Sequence, residues 1–376
     1  MSWAEKTIGD LVELQRGHDL PDSKRTSGNV PVVGSAGITG YHNLARAKAP
    51  GVTLGRSGAS IGKVTFVSED FWPHNACLYV KDFKGNDPRF VAYLLGTVPL
   101  AQLNSGAAQP SLNRNFVYGV KIKYPRLEEQ KNIVNVLDKY DDLIENNKRR
   151  IELLEESARQ LYKEWFVRFR FPGHEHVKII DGLPEGWARK SIFEMSSYLS
   201  RGMTPSYDEE GKFTVINQKC IRNRLLSLEL ARKQSKDFNK EKLVRKGDVL
   251  INSTGTGTLG RVSQCWNDID DCTVDTHVTI ARPNESISSL WYGYTLLEME
   301  QIFEGMGEGS TNQKELKRDL VGALKLNVPP ETLQEEFHNF SSDIVDQIIN
   351  LIEQNTKLIK VRDLLLPKLM SGEIAV

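Results

Sequence analysis

Residues 126–165 read RLEEQKNIVNVLDKYDDLIENNKRRIELLEESARQLYKEW and carry the clearest structural pattern in the chain. Mostly apolar residues recur there at alternating intervals of four and three, which is the spacing of a coiled-coil seam. A second seam follows the same spacing near the C-terminus, so the sequence predicts two long paired helices. The predicted seam residues are Ile133, Leu137, Tyr140, Ile144, Asn147, Ile151, Leu154, Ala158, Leu161 and Trp165 in the first helix, and Ile344, Ile348, Leu351, Asn355, Leu358, Arg362, Leu365 and Leu369 in the second.

The two helices belong to a repeat that runs through the chain. Matched residues keep the same order in both halves, and the distance between partners grows from 184 to 208 residues, as expected for a duplication with small insertions. In each half, short β-rich runs such as residues 63–68, 77–80 and 274–281 precede a proline and then the helix. Examples of matched pairs are Trp3 with Trp187, Ile8 with Ile192, Arg16 with Arg201, Gly62 with Gly260, Leu112 with Leu316, and Asn147 with Asn355.

The repeat also predicts how the helices pair. Two halves related by a pseudo-twofold axis place their helices antiparallel, so residues at equivalent midpoints meet. Asn147 and Asn355 lie at these midpoints, and we expect their amides to face each other, setting register at a cost in stability. The alternative is that each asparagine lies at a solvated edge of the seam. Arg362 interrupts the second seam, and we expect Val361 to take its place.

The composition is that of a globular, electrically balanced protein. The chain has 376 residues, enough for two or three domains, with 49 basic and 49 acidic side chains. Residues 1–125 carry 14 basic and 9 acidic residues, a net charge of +5, whereas residues 331–376 carry 4 and 8, a net charge of −4. No apolar run reaches the ~18 residues of a membrane span, and no signal peptide is apparent. We therefore expect a cytoplasmic protein with reduced cysteines and no membrane partner.

Motifs for catalysis do not emerge from the sequence. Residues 58–64 resemble a phosphate-binding loop, but Ser57 and Val64 occupy the positions that require Gly and Ser or Thr. His174 and His176 lack further ligands at metal-binding spacing. We therefore expect a turn with an exposed cation at residues 58–64, no metal site, and no enzymatic activity on this chain.

Several segments resemble the specificity subunit of type I restriction-modification systems. Residues 161–173 (LYKEWFVRFRFPG) give the most specific match, to the end of that family's central helical region. Residues 183–187 resemble the start of a target-recognition domain, residues 55–64 its mid-domain turn, and residues 105–113 the segment before its last strand. Residues 366–374 resemble the distal ending. The second half departs from the pattern at residues 254–258, where TGTGT replaces the mid-domain turn.

The resemblance implies an α+β fold with two similar globular target-recognition domains, separated by two long antiparallel helices that form a coiled coil. The expected segments are a first recognition domain at 1–125, a central helical spacer at 126–172, a second recognition domain at 173–330, and a distal helical spacer at 331–376. Each domain is expected to read one half of a bipartite double-stranded DNA target, while the helices fix the gap.

The resemblance also implies the partners. Two methyltransferase (modification) subunits are expected to dock along the helices, with restriction or translocase subunits as optional further partners. S-adenosylmethionine, ATP and Mg are expected on those subunits, and no cofactor is expected on this chain. Because the net charge is zero and phosphate contacts dominate DNA affinity, we expect the isolated chain to bind DNA weakly and salt-sensitively.

The candidate base-reading residues are polar side chains of the kind that recognise the major groove, although each could equally be an ordinary surface cation. Arg16 and Arg201 are distinctive because both repeats keep Arg-Gly, which a structural turn would also explain. The aromatic cluster Trp165, Phe166, Phe169 and Phe171 is expected to pack between helix and domain and not to stack on bases. The candidates are Arg16, Lys24, Arg25, Arg56, Lys63 and Arg114 in the first domain, and Arg201, Gln218, Lys219, Arg222, Arg224 and Arg261 in the second.

Two other functions fit the sequence less well. One is recognition for another restriction-modification class, which a different neighbouring gene would reveal. The other is a non-DNA scaffold in which the coiled coil and its domains bind proteins, and it predicts no salt-dependent DNA binding.

Overall fold

The computed structural model describes residues 3–103, 111–309 and 314–376. By its contacts the chain divides into unit 1, residues 1–147 and 354–376, and unit 2, residues 148–353. Both unit boundaries cut a long helix, so the units do not coincide with the four segments expected from the sequence, and those segments stay a prediction. Residues 105–110 of the segment expected before the last strand lie outside the described residues.

Unit 1 contains an antiparallel sheet of four strands, a sheet of three, and a pair of strands. The four-stranded order is β2–β8–β5–β6, the three-stranded order is β4–β3–β7 with β3 and β7 parallel, and β1 pairs with β9. The strands are β1 (Ala4–Thr7), β2 (Glu13–Arg16), β3 (Val30–Gly34), β4 (Gly37–His42), β5 (Gly51–Gly55), β6 (Val64–Val67), β7 (Trp72–Pro73), β8 (Cys77–Asp82) and β9 (Lys121–Tyr124). The helices are α1 (Ile8–Leu11), α2 (Pro88–Thr97), α3 (Arg114–Tyr118) and the long α4 (Leu127–Tyr162), which continues into unit 2.

Unit 2 repeats these three sheets in the same strand order and adds two short strand pairs. Its orders are β13–β21–β18–β19, then β17–β14–β20 with β14 and β20 parallel, and β12 with β22. The strands are β10 (Ile179–Ile180), β11 (Leu183–Pro184), β12 (Ala188–Ser191), β13 (Ser196–Arg201), β14 (Phe213–Ile216), β15 (Ile221–Arg222), β16 (Leu225–Leu226), β17 (Arg232–Gln234), β18 (Val249–Asn252), β19 (Val262–Gln264), β20 (Cys272–Val274), β21 (Val278–Pro283) and β22 (Lys325–Val328). The helices are α5 (Ile192–Met195), α6 (Ser289–Leu297), α7 (Glu300–Gly305), α8 (Arg318–Ala323) and the long α9 (Glu331–Ser371), which continues into unit 1.

Local sequence explains why the short helices α1 and α5 form at equivalent places. Thr7 and Asp10 form a reciprocal capping box at the start of α1, and Ser191 and Glu194 do the same for α5. In each box the side chains satisfy backbone N–H groups that the first helical turn leaves unpaired. The single β-run expected over residues 274–281 is wrong, because a turn at Asp275 separates β20 from β21.

In unit 1, α4 and α9 pack antiparallel. Asn147 Nδ2 donates a hydrogen bond of 3.1 Å to Asn355 Oδ1, and both side chains are buried. The expected meeting of these amides is therefore observed. Nearer the sheet, Ile133, Leu137 and Leu369 enter the unit's hydrophobic core. Tyr140, Leu358 and Leu365 are half-buried, and Ile144 is buried.

The expectation that Val361 replaces Arg362 in the seam is wrong. Val361 is 41% exposed, whereas Arg362 is half-buried and its guanidinium lies 2.7 Å from the carboxylate of Asp141 on α4. The long arginine stem reaches this partner, so an ion pair occupies the seam without leaving a buried charge unbalanced.

In unit 2 the same two helices also run antiparallel to each other. Ile151, Ile348 and Leu351 form one buried cluster, with Leu154 and Ile344 partly buried against it. Further along, Ala158 and Trp165 are buried and Leu161 is half-buried. The aromatic cluster packs as expected, since Phe166 lies 5.1 Å from Phe337 between ring centroids and contacts Trp187 as well.

Candidate nucleic-acid interface

Both repeats contain an Arg-Gly dipeptide, in which the glycine and the arginine have different roles. A Cβ on Gly17 would lie 2.1 Å from the carbonyl oxygen of His74, and a Cβ on Gly202 would lie 2.0 Å from that of Val274. Only glycine allows these close backbone approaches. The structural explanation therefore holds for the glycines, and the arginines must be judged by their own surroundings.

Arg16 and Arg56 lie close enough in unit 1 for their positive charges to interact. Arg16 is exposed at the end of β2, and Arg56 is half-buried with its guanidinium donating to the carbonyl of Asn75 at 3.2 Å. Burial, and then the charge of Arg16, lower the pKa of Arg56. Within residues 3–103 and the other described ranges, no carboxylate forms an ion pair with either side chain. An anion bound there would relieve the repulsion between them.

Arg201, the repeat partner of Arg16, is engaged within its own unit. Its guanidinium contacts the carboxylate of Glu315 and donates to the carbonyl of Leu316 at 2.7 Å. Arg16 and Arg201 therefore differ in their surroundings, and Arg16 is the more available for a ligand.

The other candidates of unit 1 differ in how free they are. Lys24 and Arg114 are exposed. Arg25 donates to the carbonyl of Thr39 at 3.1 Å, and Lys63 donates to the carbonyl of Ala36 at 2.6 Å. Lys63 therefore lies in a turn with an exposed cation, which is what the sequence predicts for residues 58–64.

In unit 2, Lys219 and Arg222 are exposed, and Gln218 is half-buried. Arg261 donates to the carbonyl of Gly257 at 2.7 Å. Arg224 has a positive φ of 64° and binds the carboxylate of Glu298 at 2.6 Å, so this candidate is directed into the unit. The structure does not bring the six candidates of this unit into one cluster of ion-pair-free cations.

Arg232 and Tyr207 are not among the candidates that the sequence indicated. The guanidinium of Arg232, on the edge strand β17, lies 3.5 Å from the centroid of the Tyr207 ring, and both side chains are exposed. A cation stacked on an aromatic ring at a sheet edge offers both charge and a flat surface to a nucleic acid. The two residues are too far apart in sequence for spacing to indicate this.

Within the described ranges the cysteine thiols are buried. Burial raises the pKa of the thiols of Cys77, Cys265 and Cys272 to about 12, which disfavours the reactive thiolate. Across the described ranges no group of three His, Cys, Asp or Glu side chains could hold a metal ion. Likewise, none of the described helices is both long and apolar enough to cross a membrane.

A family model and two similar proteins, all concerned with type I restriction-modification specificity, match this chain. The family model described as "Type I restriction modification DNA specificity domain" matches residues 1–156 and 184–361. The chain is similar to the type I restriction enzyme MjaIX specificity subunit of Methanocaldococcus jannaschii, at 28% identity over 87% of this chain and 78% of that protein. It is also similar to a putative specificity subunit of Haemophilus influenzae, at 24% identity over 90% and 88%.

A solved structure shares the fold. The crystal structure of the type I restriction-modification S subunit from M. genitalium superposes with a TM-score of 0.61 at 19% identity, covering 98% of this chain and 96% of that one.

Proposed function

Since the chain belongs to the family of type I restriction modification DNA specificity domains, we propose that its two globular domains each read one half of a bipartite double-stranded DNA target. The observation that carries this proposal is the duplicated topology. Both units contain the same four-stranded, three-stranded and two-stranded arrangements in the same strand order. Two copies of one reading module suit a target with two separate halves.

We propose further that α4 and α9 form a coiled-coil spacer, related by a pseudo-twofold axis, that fixes the gap between the half-sites. The antiparallel contacts within each unit support this arrangement. With 36 residues, α4 is ~54 Å long at ~1.5 Å per residue. Half-sites one helical turn apart are separated by ~34 Å, so the helix is long enough to act as a ruler.

The proposed division of labour leaves chemistry to other subunits. Two methyltransferase subunits would dock along the helices and supply S-adenosylmethionine, and any restriction subunit would supply ATP and Mg. This chain would contribute recognition alone, as a non-catalytic subunit. Arg16 and Arg56 would contact phosphate or a base edge, because no carboxylate among the described residues neutralises them and an anion would stabilise both.

The test is base-resolution methylation mapping of DNA from cells that express this chain with its adjacent methyltransferase gene, beside cells that lack the chain. We expect a split motif with a fixed unspecified gap that disappears in the control. The double variant Arg16→Gln with Arg56→Gln should weaken methylation, whereas Lys48→Gln, which removes only an exposed ion pair with Asp70, should not. Identical methylation with and without the chain, once co-purification shows a complex, would contradict the proposal.

A further inference from the structure

A cavity of about 200 Å³ lies in unit 2 beside the long helix α4. Its walls include Glu155 of α4, Trp266 after β19, and Tyr294 and Leu297 of α6. The volume exceeds the roughly 150 Å³ of an engineered protein cavity that accommodates benzene. It is therefore large enough for a small organic molecule, and its lining combines aromatic rings with charged groups.

The repeat provides an internal comparison for this cavity. Tyr93 and Tyr294 occupy the same position, six residues after the N-cap residues of α2 and α6, which are Asp87 and Ser288. Asp363 is the repeat equivalent of Glu155, at the 208-residue separation that also relates Asn147 to Asn355. A cavity of about 250 Å³ in unit 1 is lined by Tyr93 and Asp363.

In unit 1 the polar groups of this cavity satisfy one another. The Tyr93 hydroxyl lies 2.7 Å from the carboxylate of Asp138 and 2.5 Å from that of Asp141. The guanidinium of Arg89 binds Asp138 at 2.8 Å and lies 4.5 Å from the centroid of the Phe66 ring. An arginine head group therefore sits between carboxylates and an aromatic face within the chain itself.

In unit 2 the corresponding partners are gone. Counted from the N-cap residues Asp87 and Ser288, Leu290 stands where unit 1 has Arg89. Counted from Gln130 and Gln334, which accept the N–H groups of those N-cap residues, Ser342 and Val345 stand where unit 1 has Asp138 and Asp141. The Tyr294 side chain is only 4% exposed, yet its hydroxyl has no hydrogen-bond partner among the described residues. A buried hydroxyl without a hydrogen-bond partner is unfavourable, and a ligand that donates to it would relieve this cost.

The charges around the cavity favour a cation. Arg159 and Arg224 line it, but both guanidinium groups bind the carboxylate of Glu298, at 3.1 and 2.6 Å, and Lys163 binds the same carboxylate at 3.1 Å. Arg159 also pairs with Glu156 at 3.2 Å and Arg224 with Glu300 at 3.8 Å, so three carboxylates accompany the three cations. These cations are therefore already balanced.

Glu155 is the carboxyl left without a partner. In the described part of the chain no hydrogen bond or ion pair joins it to another side chain. Burial raises its pKa to about 7, an effect that Arg224 opposes and Glu152 reinforces. Glu152 itself lies 3.6 Å from Arg149. A carboxyl that is costly to ionise gains most from a cation brought directly beside it.

We propose that this cavity binds a small organic cation with a guanidinium or primary ammonium head. The head donates to the carboxylate of Glu155 and to the hydroxyl oxygen of Tyr294, close to the indole ring of Trp266. The ligand thus replaces the arginine that unit 1 supplies from its own sequence. The inference does not depend on DNA recognition.

The test is calorimetric titration of the full chain with agmatine, a small alkylguanidinium, at pH 8 and pH 6. We expect saturable one-site binding at pH 8. Because a carboxyl with a pKa of about 7 is mostly protonated at pH 6, affinity should fall there by about tenfold. N-butylurea, which has a planar head but no charge, should not bind.

Variants separate this site from nonspecific binding. Glu155→Gln should weaken agmatine binding at pH 8 by about tenfold or more and abolish its pH dependence, and Tyr294→Phe should weaken it about threefold to tenfold. Asp363→Asn, the matched change in unit 1, should leave binding unchanged, since Asp363 there already pairs with Arg362. Thermal unfolding verifies that each variant is folded, and Tyr294→Phe keeps the ring if Glu155→Gln does not fold.

Two results would overturn the inference. One is the absence of saturable binding at agmatine concentrations up to roughly 10 mM. The other is binding that Glu155→Gln and Tyr294→Phe leave unchanged or that Asp363→Asn reduces equally. Neither result would bear on methylation specificity, which the mapping experiment measures separately.

Discussion

Gly17 and Gly202 are constrained by backbone atoms that cannot easily move. Each would place a Cβ within 2.1 Å of a backbone carbonyl oxygen, that of His74 or that of Val274. We expect Gly17→Ala and Gly202→Ala each to lower the free energy of unfolding by about 2 kcal/mol or more, as overpacking does in tight sites. Urea unfolding followed by circular dichroism measures the effect.

Gly96 provides the matched control for these changes. A Cβ on Gly96, inside α2, meets nothing within 4 Å, and its φ is ordinary. Alanine there should stabilise the helix by about 0.5–1 kcal/mol because glycine loses more backbone freedom on folding. Equal effects at all three glycines would show that close backbone contact is not what the repeat preserves.

The titration of Glu155 should make stability depend on pH in an identifiable window. Its folded-state pKa of about 7 lies above the ordinary 4.5, so the folded chain holds this proton more tightly than the unfolded chain. The contribution of this tighter proton binding to the free energy of unfolding is complete below pH 4.5 and is lost as pH rises through 7. Glu155→Gln removes the penalty and should stabilise the protein by roughly 2–3 kcal/mol at pH 8 and by less than about 1 kcal/mol at pH 5.

Glu156, the next residue, is the control for the direction of this change in stability. Its hydrogen bond from Gln160 and the charge of Arg159 lower its pKa. Glu156→Gln should therefore not stabilise the protein at pH 8. Chemical unfolding at pH 5 and pH 8 compares both variants, and an equal gain from both would mean that net charge, and not burial, is responsible.

The Asn147–Asn355 hydrogen bond affects how the helices α4 and α9 pair with each other. Besides their mutual bond, Asn355 Nδ2 lies 3.4 Å from the carbonyl oxygen of Ile144. Asn147→Leu or Asn355→Leu alone leaves a buried amide unpaired, which should cost about 1–3 kcal/mol. The double variant removes both amides and should recover most of that loss, because apolar side chains then meet in the seam.

Thermal and chemical unfolding of the two single variants and the double variant measure this coupling. A double variant that loses the sum of the single effects would contradict a direct interaction. A stable double variant that pairs its helices in more than one register, detected by engineered cysteine crosslinks, would show that the amides set register at a cost in stability.

The helices could be predicted from sequence because a seam spacing depends only on the positions of residues along one chain. The contents of the seam were less predictable. Arg362 stays in it because Asp141 lies opposite, and that carboxylate belongs to another helix. The strand break at Asp275 was missed because the Asp275 carboxylate accepts the backbone N–H of His277 at 2.8 Å, a local bond that competes with the sheet.

One set of contacts recurs at equivalent positions of the two repeats but was not predicted from the sequence. Gln130 and Gln334 are both buried, and each donates from its side chain to the carbonyl of a proline five residues earlier, Pro125 and Pro329. Each also accepts the backbone N–H of an N-cap residue, Asp87 or Ser288. The equivalent positions of Gln130 and Gln334 in the two repeats were enough to predict that these glutamines make the same contacts. By contrast, the unpartnered Tyr294 hydroxyl depends on what is missing around it, which no spacing rule reports.

For the whole molecule, the duplicated topology leads to a modular prediction. Residues 173–330 contain most of unit 2, with the whole of one hydrophobic core and most of a second that the long helices complete, and the hydrogen bonds of their sheets close within that range. Replacing them with the corresponding domain of another family member, joined after residue 172 and before α9, should therefore change one half-site. The other half-site and the gap should remain, because residues 1–125 and the helical segments are untouched.

Methylation mapping of the chimera against the parent chain measures all three quantities at once. The reciprocal exchange of residues 1–125 is the matched control, and it should change the opposite half-site. If either exchange altered both half-sites, the two domains could not be independent readers. If an exchange altered the gap alone, the spacing would be set by the domains and not by α4 and α9, and the proposed ruler would be wrong.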